Sequence, residues 1–170
     1  MTVMKKIVFM VAMGLMAHAW ADDVEMQIVG NIFANTCNVD SASKNLTVDL
    51  GQASAGDFKD VGDTGNWKEF ELHVTNCPRS LTLANAFFYG QADSAHPTKF
   101  ANTGTAKGLA LELADPQDNI LLAPQASFNV QINQNDHTAT FPLAARYYAT
   151  SMPVSAGTFS SVVQVTFTYQ

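Results

Sequence analysis

Apolar residues recur at every second position through most of this chain, which is the period of a strand with one buried face. The clearest run is the last, Gly157 to Gln170 (GTFSSVVQVTFTYQ). There Phe159, then Val163, Val165, Phe167 and Tyr169, are apolar or aromatic, while Gln164, Thr166 and Thr168 between them are polar. Val, Phe, Thr and Tyr are also the residue types that fit a pleated surface best. Near the other end, Asp22 to Phe33 (DDVEMQIVGNIF) sets Val24, Met26, Ile28, Gly30 and Ile32 on one face. Asp23, Glu25, Gln27 and Asn31 fall on the opposite face, broken only by Val29.

Between these two runs the pattern predicts short strands separated by turns. Leu46, Val48 and Leu50 alternate up to Gly51; Phe70, Leu72 and Val74 alternate up to Cys77-Pro78. Leu81 to Tyr89, Leu109 to Leu113, Ile120 to Leu122, Ser127 to Ile132 and Ala139 to Thr150 complete the set. Gln52 to Asn66, Gln91 to Lys107, Ala114 to Asn119 and Asn133 to His137 are rich in Gly, Ser, Asp, Asn or Pro and read as loops. No segment carries a helical stripe. Strands at this spacing predict an all-β sandwich built as one domain.

Two runs do not fit a self-sufficient sandwich. The terminal strand reaches the last residue, so nothing after it can pair with its far edge, and a long apolar edge invites aggregation unless something covers it. Another strand is expected to fill that place. Asp22 to Phe33 has an acidic start and no turn signal before Cys37, so it reads as an extended arm rather than a first strand of the domain's own sheet. Gly30 on its apolar face allows another backbone to approach closely.

The N-terminus narrows the setting. Lys5 and Lys6 precede an apolar run from Ile7 to Met16, and Ala19-Trp20-Ala21 supplies small residues around a cleavage point. That is the pattern of a secretory signal peptide cut after Ala21, and the run is too short to span a membrane. Cleavage leaves 149 of the 170 residues, and loss of Lys5 and Lys6 takes the formal charge from −6 to −8. Such an acidic exported domain has no electrostatic reason to bind nucleic acid or an anionic membrane.

Candidate chemistry adds little. Cys37 and Cys77 are the only cysteines, and in an oxidising compartment such a pair is most simply a disulfide. Closing a loop of about 41 residues stabilises by roughly 4 kcal/mol in the chain-entropy account. A metal site needs more ligands at closer spacing, and no CxxC or HxxxH occurs, so no metal or cofactor is expected. His73, His96 and His137 are scattered, without a Gly-x-Ser-x-Gly or a phosphate loop, which argues against an enzyme. Asp57, Asp60 and Asp63 lie among Phe58 and Val61 and read as a solvated loop rather than a calcium site. Asn45-Leu46-Thr47 matches the Asn-x-Ser/Thr pattern of a glycosylation acceptor. Trp67, Phe88 and Tyr148 are aromatics of the kind that cores and surfaces ordinarily hold.

Taken in order, these features resemble a subunit of the chaperone–usher pili, similar to the minor structural subunits of type 1 fimbriae. The resemblance is carried by the arm Val24 to Ile32, Cys37 followed by LTVDLG at Leu46 to Gly51, and FELHVTNCP at Phe70 to Pro78. ANTGTAKGLALEL at Ala101 to Leu113, FPL at Phe141 to Leu143, Gly157 fourteenth from the end and the penultimate Tyr169 continue it. It implies an incomplete immunoglobulin-like β-sandwich that lacks its last strand. The division would be residues 1–21 as signal peptide, 22–33 as donor-strand extension and 34–170 as pilin domain. A donor strand from a periplasmic pilus chaperone, and then at the outer-membrane usher the arm of a neighbouring subunit, would complete the fold. Val24, Met26, Ile28, Gly30 and Ile32 would be the donor. Gly157, Phe159, Val163, Val165, Phe167 and Tyr169 would line the acceptor groove. The product is a surface fimbria serving cell adhesion, with any host receptor met only through the assembled pilus. A tip adhesin is the alternative, but such proteins usually carry an extra receptor-binding domain and lack the arm. A free-standing exported sandwich is the third reading.

Overall fold

The computed structural model describes residues 27, 29–30, 36–117 and 120–170. The signal-peptide segment and Val24, Met26, Ile28 and Ile32 of the arm lie outside the described residues. Residues 1–33 and 34–170 form separate units, and the second holds the sandwich.

Among the described residues, nine strands build two antiparallel sheets. They are β1 (Asn38–Val39), β2 (Lys68–Thr75), β3 (Leu83–Tyr89), β4 (Phe100–Ala101), β5 (Leu109–Asp115), β6 (Ile120–Leu121), β7 (Ser127–Gln131), β8 (Ala139–Ala149) and β9 (Gln164–Tyr169). One sheet runs β1-β2-β8-β5-β4, with β6 also on β5; the other is the three-stranded β7-β3-β9. The sheets face each other through the alternating apolar positions read from the sequence. Phe141 of β8 touches both Phe128 of β7 and Phe167 of β9, with ring centroids 5.5 and 5.3 Å away. Phe88, Phe100, Phe141, Leu143 and Val74 are among the fully buried side chains of this core. The architecture is the expected all-β sandwich.

Three local expectations need correction. Leu46 to Leu50 alternates but joins no ladder: it is extended, and none of the backbone hydrogen bonds seen among the described residues involves Leu46, Val48 or Leu50. The terminal strand is shorter than Gly157–Gln170, because its first half turns to a different partner. The Thr158 carbonyl accepts from the Ala106 N–H, and Ser160 from Thr103, so only Gln164–Tyr169 pairs with β3. Polar loops also do structural work the pattern did not show. The stretch before Trp67 lies along the end of β8 through Gly62 N–H to the Ala149 carbonyl and Gly65 N–H to the Tyr147 carbonyl.

The side of the larger sheet away from the core holds a buried ion cluster. Glu112, between the core residues Leu111 and Leu113, meets Lys99 Nζ at 2.6 Å and Arg146 Nε at 2.5 Å. Tyr148 lies against the Lys99 ammonium and Trp67 against the Arg146 guanidinium, at 4.8 and 4.0 Å to the ring centroids. One carboxylate thus satisfies two cations in a site closed by aromatic rings. Glu112→Gln leaves the buried Lys99 without a counter-charge, and about 3 kcal/mol of stability should be lost. Urea unfolding of wild type and variant, each with its fold completed by a donor strand, measures it; equal midpoints would show that the cluster adds nothing.

Candidate functional site

The register of β9 on β3 defines the site. Ala84 lies opposite Tyr169, Ala86 opposite Phe167 and Phe88 opposite Val165, so these six side chains share the inner face. Leu83 and Gln170 exchange both of their backbone hydrogen bonds. Because bonded and non-bonded pairs alternate along an antiparallel ladder, Thr168, Thr166 and Gln164 direct their N–H and C=O groups at β3. Val165, Phe167 and Tyr169 direct theirs at the opposite edge, where no strand lies among the described residues.

Burial shows the consequence. In β3, Ala84, Ala86 and Phe88 are each 0 % exposed, whereas Val163, Val165, Phe167 and Tyr169 of the adjacent strand are only half-buried although they face the same core. A sheet that continued past β9 would cover them as fully. Instead a groove of about 820 Å³ opens beside β9. Val163, Val165 and Phe167 form one wall and the unpaired Leu46 to Leu50 segment lies across from them; Leu72, Leu113 and Leu143 belong to the floor.

The predicted groove residues fall unevenly. Val163, Val165 and Phe167 line the cavity. Phe159 lines it near one end, its ring set edge-on against Tyr147 at 4.9 Å. Tyr169 packs on the core without lining the cavity, and burial raises its phenol above the ordinary tyrosine value. Gly157 lies outside the groove, where a Cβ would overlap the backbone at Thr105 and Ala106. That glycine permits the close crossing that releases the chain into β9. Of the arm, Gly30 is described and exposed. The opposite wall, Leu46, Val48 and Leu50, was visible as an alternating run but not assigned to the site, since nothing local says that a strand will go unpaired.

Cys37 and Cys77 are bonded, with Cα atoms 4.2 Å apart, and belong to the core cluster. They clip the start of the described body to the end of β2, where Asn38 pairs with Thr75. The remaining polar candidates are occupied locally. Asp63 accepts from the backbone N–H groups of Lys59 and Asp60, and those bonds hold its carboxyl below the usual carboxylate range. Asp57 accepts from the Ser54 N–H in a capping box. Among the described residues, no group of three His, Cys, Asp or Glu side chains is placed to hold a metal.

Comparison with known proteins bears on the groove. The profile of the family described as Fimbrial protein matches residues 26–170. Protein FimG of Escherichia coli (strain K12) is 34% identical over 88% of this chain and 86% of its own length. The S-fimbrial adhesin protein SfaS of Escherichia coli O6:K15:H31 is also 34% identical, over 89% of this chain and 88% of its own. Among solved structures, the type I fimbria protein BPSL1626 of Burkholderia pseudomallei is 32% identical with a TM-score of 0.57, covering 79% of this chain and 88% of that one. The P pilus rod subunit PapA shares the fold, with a TM-score of 0.65 at 20% identity over 79% of this chain and 99% of its own.

Proposed function

This chain belongs to the fimbrial protein family, and on that premise we propose that it is a structural subunit of a bacterial surface fimbria whose open groove is a strand acceptor. Its fold is an immunoglobulin-like sandwich one strand short. The observation that carries the acceptor reading is the burial step between neighbouring strands, from complete in β3 to half in β9, on one continuous inner face. An inserted strand with alternating apolar residues covers Val163, Val165 and Phe167 and bonds to the free edge. Burying about four apolar side chains contributes on the order of 6 to 12 kcal/mol before ordering costs. This is strand addition used as a joint. Because the arm and the groove are different surfaces, the contact is head-to-tail and extends a fibre rather than closing a dimer.

The arm, with Val24, Met26, Ile28, Gly30 and Ile32 on one face, is the donor to a neighbouring subunit. Before assembly the groove takes a strand from a periplasmic pilus chaperone, which is exchanged for the arm at the outer-membrane usher. The likeness to a fimbrial adhesin protein supports a contribution to cell adhesion. The relatives are fimbrial proteins, and catalysis forms no part of this reading.

The register provides a direct test. On addition of a synthetic arm peptide, residues 22–33, amide exchange should slow at Val165, Phe167 and Tyr169, whose N–H groups face the open edge. Gln164, Thr166 and Thr168, already bonded to β3, should change far less. Hydrogen exchange read by NMR separates the two sets; uniform slowing, or none, would argue against insertion beside β9.

A further inference from the structure

The face of the terminal run that lines the groove is apolar with one exception. Exposure alternates without a break from Phe159 to Phe167: the odd-numbered residues are half-buried and the even-numbered ones exposed. Phe159, Ser161, Val163, Val165 and Phe167 therefore share one face, and all five line the groove. Four of them are apolar; Ser161 is not. Its Oγ is buried and has no hydrogen-bond partner. Asn85 Oδ1 and His137 Nδ1 are also unpartnered, but neither residue lines the groove.

The serine is held where it is. On one side, the Ser160 N–H donates to Asn102 Oδ1 at 2.9 Å, and the Ser160 carbonyl accepts from the Thr103 N–H and hydroxyl at 2.7 and 3.1 Å. Thr158 is tied to the same loop, its N–H to the Thr105 hydroxyl at 2.8 Å and its carbonyl to the Ala106 N–H at 3.0 Å. On the other side, Val162 passes so close to Gly90 that a Cβ there would stand 2.9 Å from the Val162 carbonyl. From Gln164 onward the chain is laddered to β3. The backbone is thus fixed on both sides of Ser161, and its hydroxyl changes place by turning about χ1.

While the groove is open, solvent can serve that hydroxyl; an inserted strand shuts solvent out. A strand that presents only apolar side chains there leaves the hydroxyl buried and unpaired, at a cost in free energy. A strand with Ser, Thr, Asn or Gln at the facing position supplies the partner, since a hydroxyl both donates and accepts. This chain's own arm has no such side chain on its apolar face, which consists of Val24, Met26, Ile28, Gly30 and Ile32.

We propose that Ser161 is a specificity-determining residue of the groove: it selects an inserted strand that carries a hydroxyl or amide side chain on its inward face, and it disfavours a copy of this chain's own arm. The inference rests on the strand-acceptor reading and adds to it the chemistry of the preferred donor. Discrimination of this kind works by leaving a buried polar group unpaired in the wrong complex.

The test measures peptide affinity for the mature chain and for its Ser161→Ala variant, which adds no atom to the face and is expected to fold. The probes are the arm peptide, residues 22–33, and five versions of it with Thr in place of Val24, Met26, Ile28, Gly30 or Ile32 in turn. The parent peptide should bind Ser161→Ala about tenfold more tightly than wild type, because no hydroxyl is stranded there. One Thr peptide should reverse this. Its affinity relative to the parent should be about tenfold higher on wild type than on Ser161→Ala, and the other four should differ by less than about twofold. If no Thr peptide distinguishes the two proteins, the selection is overturned while the groove reading stands. If none of the six peptides binds either protein, the acceptor reading fails and this inference fails with it.

Discussion

A donor segment joined after Gln170 is expected to raise the melting temperature of this subunit by tens of degrees. Gln170 ends beside Leu83, at one end of the groove, so a short turn brings the segment back along the free edge of β9. The inserted side chains cover Val163, Val165, Phe167 and the apolar floor, and the new ladder satisfies the edge of β9 and can reach the Leu46 to Leu50 segment. Gross burial is on the order of 6 to 12 kcal/mol. Joining the segment to the chain removes most of the association cost that a separate peptide bears. For a domain of this size each kcal/mol moves the midpoint by roughly 2–5 °C, which sets the scale of the shift. Without the segment, the mature chain made alone should aggregate as its concentration is raised, because an apolar strand edge is open to other chains. Calorimetry of the fused and unfused forms decides it. Coincident melting would mean that the sandwich is complete without a donor.

One charge placed in each of two strands should give opposite phenotypes. Val165→Asp sets a carboxylate on the inner face of β9, opposite Phe88, which is fully buried. An unpaired charge there costs several kcal/mol or forces protonation, so the subunit should lose folding and chaperone capture and be degraded in the periplasm. On the proposed donor reading, in which the arm is no part of the subunit's own sandwich, Ile28→Asp sets the same charge on the apolar face of the arm. That variant should stay soluble and bind chaperone, but fail to lock into its neighbour. Subunit level and pilus incorporation, measured for both in export-competent cells, separate the roles. Should Ile28→Asp abolish folding as Val165→Asp does, the arm would be a strand of its own domain and the donor reading would be sunk.

Period-two patterning made the sandwich legible because each strand buries one face. Phe70, Leu72 and Val74, or Phe141, Leu143 and Ala145, therefore declare themselves locally. The expectation of an open edge on the terminal strand agrees with the sheet order, in which β9 has β3 as its one partner among the described residues. What stayed hidden were pairings, which depend on partners distant in the chain. The Leu46 to Leu50 run alternates like any strand, yet it is left without a ladder. The Phe159 half of the terminal run alternates as well, yet its carbonyls on either side bond to Thr103 and Ala106 rather than to β3. Glu112 is the opposite case: a charged residue between two leucines marks an outward position, and only the fold brings Lys99 and Arg146 to it.

By itself the sequence determined the strand class and the cysteine pair, and it set two alternating runs apart near the two ends of the chain. These follow from side-chain periodicity and covalent order, which are local. Only the tertiary structure decided where the groove lies, which wall faces β9 and which backbone groups line the free edge. Those are matters of register and of which edges remain unpaired. Two extended segments with the same alternation differ only in whether a distant strand comes to lie beside them, and that is a property of the folded chain.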